Sequence, residues 1–191
     1  MKPFLILPII LILLVSGCAQ QQIETAPLSN MKLTSPAFSN NGSIPSKYTC
    51  DGENVNPPLK IEAAPSGTKS LVLIMDDPDA LAVAGKVWDH WVVFNMDPQT
   101  DEIPEAAAFT PSPIGKSLTD VVGVLGKNTA GSLSYGGPCP PDKEHRYFFK
   151  LYALDTQLNL KEGSTKPEVE NAMKGHILGQ AELVGKYNRI K

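Results

Sequence analysis

The chain has 191 residues, of which 42% are hydrophobic and 19% charged, and a formal net charge of −3. That is the make-up of a globular protein long enough for one ordinary domain with a proper core. Basic residues accumulate nowhere, which excludes nucleic acid as an expected partner and a polybasic patch as a membrane contact. The 17 prolines and 15 glycines favour a turn-rich β fold over a helical bundle.

The first element is an address. Lys2 precedes an apolar run over residues 4–15, interrupted only by Pro8. The run is too short to span a bilayer and has the length of a signal-peptide core. Leu14-Val15-Ser16-Gly17-Cys18 then reads as a lipobox, in which Cys18 is acylated and becomes the new N-terminus. The competing reading is an ordinary secretory signal that contains a cysteine. Two or more acyl chains hold a soluble domain stably on a membrane. The expected organisation is therefore a leader over 1–17, a lipidated cysteine and polar tether over 18–29, and a single domain over 30–191. The expected location is exported, extracytoplasmic and membrane-anchored.

Within the domain, residues 70–75 (Ser-Leu-Val-Leu-Ile-Met) form a short apolar run and predict a buried strand. A second strand is predicted over 87–96, where a period of two places Trp88, His90, Val92 and Phe94 on one face. A third is predicted over 146–154, with His145, Tyr147, Phe149 and Leu151 sharing a face. Thr165-Lys166-Pro167-Glu168 is a capping box with proline in the first turn. It opens a helix in which Val169, Ala172, Met173 and His176 recur at helical spacing. Residues 181–189 predict a final strand. Long Pro/Gly-rich loops cover 104–115 and 131–142, and loops of that length in a compact domain usually carry function. With Cys18 assigned to lipid, Cys50 and Cys139 remain in an oxidising compartment and admit one pairing. A disulfide is expected between them, with two buried free thiols as the alternative. Neither lies in a metal-type Cys-x-x-Cys spacing.

Two constellations carry chemistry. Asp76-Asp77-Pro78-Asp79-Ala80 follows a strand, and Trp88-Asp89-His90-Trp91 opens the next. Carboxylates at a strand end are costly unless solvated or bonded, and one that accepts an imidazole N–H leaves the other ring nitrogen for a ligand. The second is Tyr135-Gly136-Gly137-Pro138-Cys139-Pro140-Pro141, followed by His145-Arg146-Tyr147. Its glycines are placed to offer backbone N–H groups to an anion. His145 and Tyr147 bring an imidazole and a phenol to one side, while Arg146 faces away and suits a structural ion pair. Asp76 and Asp89 read as structural or solvent-facing, and His176 as packing.

Asp77-Pro78-Asp79-Ala80, His90-Trp91-Val92-Val93-Phe94-Asn95, Gly137-Pro138-Cys139-Pro140-Pro141 and His145-Arg146-Tyr147 together resemble the phosphatidylethanolamine-binding protein family. The detail is most similar to its prokaryotic Raf-kinase-inhibitor-like branch. The resemblance runs in order from about Met31 to Arg189. It implies a mainly β, Greek-key β-sandwich with a few peripheral helices. It also implies a small anion-binding pocket, with Asp77, Asp79, His90, Pro138, His145 and Tyr147 as ligand-binding residues. Asp77 and Asp79 would orient the histidines and accept from a ligand ammonium. Leu81 stands where the family pattern has proline, and redirects the loop 81–86.

The expected function is thus non-catalytic binding of a small phosphate-containing or zwitterionic ligand, such as a phospholipid headgroup, with no cofactor and no metal. Two further readings compete. One is inhibition of a protein target, a protease or kinase, through the exposed loop 104–115. The other is a metal-dependent hydrolase, for which neither a His-x-x-x-His spacing nor a Gly-x-Ser-x-Gly elbow is present.

Overall fold

The structure is a computed structural model that describes residues 30–111 and 120–189. The leader, Cys18 and the tether lie outside the described residues, as does the 112–115 part of the loop expected over 104–115. In chain order the strands are β1 (Lys32–Thr34), β2 (Gly42–Ser43), β3 (Leu59–Glu62), β4 (Ser70–Asp77), β5 (Trp88–Met96), β6 (Glu102–Ile103), β7 (Ala108–Thr110), β8 (Asp120–Val122), β9 (Val124–Leu125), β10 (His145–Leu154) and β11 (Ile177–Tyr187). The α-helices are α1 (Leu81–Ala84) and α2 (Lys166–Met173).

Strand β4 is buried along its whole length, which is why its sequence is a continuous apolar run rather than an alternation. It occupies the middle of a six-stranded sheet with order β2-β11-β10-β4-β5-β9. Leu71, Leu73 and Met75 point into one core with Trp91, Val93, Phe149 and Leu151. Leu33, Leu59, Ile61 and Ile103 of the β1-β3-β6 sheet close that core from the other side. Val72 and Ile74 point into a second core with Val92 and Phe94, beneath Val169 and Met173 of α2. Strands β4, β5 and β9 are consecutive neighbours, and the chain then crosses over 126–144 to lay β10 beside β4. That is a Greek-key connection, and its crossover is the Gly/Pro-rich segment that builds the site.

The three strong strands, the capping box and the final strand all form. The Thr165 backbone N–H donates to Glu168 Oε2 at 2.7 Å, with the reciprocal bond present. Three expectations are corrected. First, Trp88, His90, Val92 and Phe94 do not share a face. The β4–β5 register shifts between Met75↔Trp91 and Asp76↔Asp89, leaving His90 as the extra residue of a bulge. A bulge re-aims the side chains beyond it: His90 and Trp88 turn to the cavity, while Val92 and Phe94 stay under α2. Second, His176 is neither helical nor packed. Gly175 takes φ 80° and ends the turn, and His176 pairs with Asp155 at 2.8 Å on the surface. Third, β11 begins at Ile177, because residues 177–180 continue the ladder against Leu154–Tyr152 of β10.

Candidate functional site

The aspartate cluster at the end of β4 has three separate fates, set by strand alternation and by the turn that follows. Asp76 points to the α2 side and is buried, held by Lys166 at 2.6 Å and Lys150 at 2.8 Å. Lys166 also reaches Asp89 at 3.1 Å, so Asp76 and Asp89 belong to a structural network. Asp77 points the other way. Its Oδ1 accepts the Ala80 N–H at 3.0 Å and caps the 3₁₀ turn Pro78–Ala80. Its Oδ2 accepts from His145 Nδ1 at 2.7 Å. Asp79 turns outward, where Arg146 holds it with Nε at 2.9 Å, Nη2 at 2.7 Å and its backbone N–H at 2.9 Å. That fork lowers the Asp79 carboxyl to about 2. Of Asp77 and Asp79, Asp77 alone bonds a histidine; the expectation that Asp79 does so is corrected, because Arg146 claims both of its oxygens.

His145 opens β10 and is completely buried. Its Nδ1 donates to Asp77 and its Nε2 to Asp142 Oδ1 at 2.8 Å. Burial, the largest single influence, opposes the charge. The two carboxylates outweigh it and raise the pKa above the ordinary histidine value. The same contact, with backbone N–H bonds, holds the Asp142 carboxyl below its usual range against the opposing effect of burial. His90 is its electrostatic opposite. Burial lowers its pKa despite the Gly136 carbonyl and the neighbouring aspartates. Its Nδ1 lies 2.6 Å from Gly136 O. A carbonyl only accepts, so Nδ1 carries the proton, and Nε2 keeps a lone pair with no partner among the described residues.

These two rings, whose pKa values are shifted in opposite directions, line a cavity of about 380 Å³ with Asp77. The rest of the wall includes Trp88, Asn54, Asn128, Val83 of α1 and Pro140-Pro141. The Cys50–Cys139 disulfide forms, with Cα atoms 5.5 Å apart, and both half-cystines line the same cavity. It ties the segment 46–54 to the crossover. The glycines of the crossover do not form the expected anion nest. The Gly136 N–H donates to His90 O at 3.0 Å and the Gly137 N–H to Asn54 Oδ1 at 2.8 Å, so both are spent on the protein. Gly137 is needed for close approach instead: a Cβ there would lie 2.7 Å from Tyr48 O.

Of the residues predicted to bind ligand, Asp77, His90 and His145 meet at the cavity, and three others do not line it. Asp79 is in its surface ion pair. Pro138 is buried and accepts the Cys50 N–H at 3.1 Å. Tyr147 packs edge-on to His90 with ring centroids 5.2 Å apart. Its buried Oη meets no partner in hydrogen-bonding geometry, and the backbone of Cys139 faces it. Tyr147 therefore supports His90 from behind. Asp142 was missed, although its position three residues before His145 was the available signal. Asn54 and Trp88 carried none beyond proximity to Cys50 and His90. Leu81 and Val83 form a short exposed helix where the family pattern has proline, and Val83 reaches the cavity rim. Among the described residues, no three His, Cys, Asp or Glu side chains are grouped to hold a metal ion.

The family model described as phosphatidylethanolamine-binding protein matches residues 34–188. A UPF0098 protein of Methanothermobacter thermautotrophicus is 49% identical over 163 residues, which is 83% of this chain and 99% of that protein. A crystal structure of a putative phosphatidylethanolamine-binding protein homologue from Chlamydia trachomatis is 43% identical, with a TM-score of 0.76, and covers 85% of this chain and 99% of its own. E. coli YbcL, described as a new member of the mammalian family, is 27% identical with a TM-score of 0.72, covering 84% of this chain and 99% of its own. The chain belongs to the phosphatidylethanolamine-binding protein family.

Proposed function

We propose that the protein binds, without turnover, a small phosphate-containing or zwitterionic ligand in the cavity between His90 and His145. The observation that carries this reading is the free Nε2 of His90, opening into a cavity whose facing wall is a His145–Asp77 pair. A phosphate monoester near its second pKa of about 6 still carries a proton, and that P–OH can donate to the neutral His90 Nε2. Once His90 is protonated, the same nitrogen donates to a phosphate oxygen instead, as a charge-assisted bond. Nearby carboxylates repel a dianion, so binding is weak at neutral pH and strengthens on acidification. They also accept from an ammonium, which suits a zwitterion such as a phospholipid headgroup.

Titration calorimetry with inorganic phosphate and O-phosphorylethanolamine tests the reading. It uses the soluble domain at two pH values, with His90→Ala alongside. Saturable binding that weakens as pH rises and is lost in the variant is the expected result. Absence of binding by the intact domain would overturn it.

We further propose that the chain is an exported lipoprotein anchored through Cys18. The lipobox supports this, and so does the Cys50–Cys139 disulfide, because such bonds persist outside reducing compartments. Radiolabelled palmitate incorporation that survives Cys18→Ala would sink this assignment. The prokaryotic origin of the relatives described above supports placement in the Raf-kinase-inhibitor-like branch.

A further inference from the structure

When His145 is protonated it has two N–H groups, and both face carboxylates. Asp77 accepts one at 2.7 Å and Asp142 the other at 2.8 Å. The two carboxylates differ in kind. The Asp77 side chain is 4% exposed, sits at the end of the central strand, and is locked by the Ala80 N–H. The Asp142 side chain is 37% exposed and hangs from the crossover that precedes β10. Asp77 is therefore a permanent orienting partner, while Asp142 is one whose departure returns a carboxylate to water at small cost. Until it departs, His145 has no donor to offer a ligand.

We propose that Asp142 is a specificity-determining residue of the cavity, an internal carboxylate that occupies the anion position on His145 and must be displaced before an anionic ligand is held there. The proposal rests on the binding reading above and adds what that reading lacks, the competitor. A carboxylate and a phosphate oxygen make the same charge-assisted bond to an imidazolium N–H. Because Asp142 is attached three residues from His145, it competes at the high effective concentration of a short tether. Apparent affinity for an anion falls by the fraction of molecules in which the position is open. Asp142 does not itself line the cavity, but with it seated a protonated His145 and its two carboxylates sum to a net negative charge, which discriminates against free anions and tolerates zwitterions.

The test compares wild type, Asp142→Ala and Asp142→Asn at one pH and ionic strength, titrating inorganic phosphate by calorimetry and following the His145 side-chain resonances by NMR. Circular dichroism shows that each variant is folded. Asp142→Ala should bind phosphate about tenfold more tightly than wild type, with Asp142→Asn between them. Saturating phosphate should move the wild-type His145 resonances towards those of the liganded alanine variant. Equal or weaker binding by Asp142→Ala, beside saturable wild-type binding, would overturn the competitor while leaving the binding reading intact. Absence of binding by all three proteins would overturn both.

Discussion

Removing the Cys50–Cys139 disulfide should cost several kcal/mol, and the cost should arise in the unfolded chain. The bridge spans 89 positions, and cross-linking a loop of that length removes roughly 4–5 kcal/mol of unfolded-state entropy at 25 °C. For a domain of this size that corresponds to a fall in Tm of roughly 10–15 °C. The native contacts at the bridge do not need it. The Cys50 N–H donates to Pro138 O at 3.1 Å and the Gly137 N–H to Asn54 Oδ1 at 2.8 Å, bonds that involve neither sulfur. Most of the loss should therefore appear as slower folding, with little change in the unfolding rate, and with a larger m-value because the released chain exposes more surface. The assay is urea equilibrium and stopped-flow unfolding of the oxidised domain beside a Cys50→Ala, Cys139→Ala double variant. A loss below about 1 kcal/mol, or one expressed wholly as faster unfolding, would refute the loop-entropy reasoning and locate the effect in the native cavity wall.

The two histidines should pull the pH dependence of stability in opposite directions. His145 has a raised folded pKa, so its contribution is full below the unfolded value of about 6.5 and is lost as pH rises through the folded one. His90 has a lowered folded pKa, so the unfolded chain takes up the proton first, and stability falls as pH drops below about 6.5. Urea midpoints from pH 5 to 9 should show the alkaline fall flattened in His145→Gln and the acid fall flattened in His90→Gln; unchanged profiles in both would contradict these assignments. Asp79→Asn should leave phosphate affinity within about twofold and cost less than about 1 kcal/mol, as for other exposed ion pairs. A large affinity loss there would return Asp79 to the pocket. Gly137→Ala should destabilise by about 2 kcal/mol, since its Cβ would press on the Tyr48 carbonyl and the Thr49 backbone; a thermal melt matching wild type would show that the segment 46–54 yields.

What the sequence determined by itself was most of what depends on short-range pattern. The buried run of β4 and the capping box of α2 follow from neighbours in the chain, the disulfide follows from the cysteine count, and the ordered family motifs brought Asp77, His90 and His145 together as candidates. The tertiary structure alone decided which atoms meet. A one-residue bulge in β5 swung His90 to the cavity, because register is set by pairing with β4 and not by the strand's own alternation. Arg146, on the far side of β10, took Asp79 away from the histidines. The Greek-key crossover laid Gly137 against residues 48–54 and Gly136 against His90, so both N–H groups were used within the protein. It also left Asp142 on Nε2 of His145. Each of these outcomes is a competition between groups distant in sequence for one partner, and only the fold brings the competitors within reach.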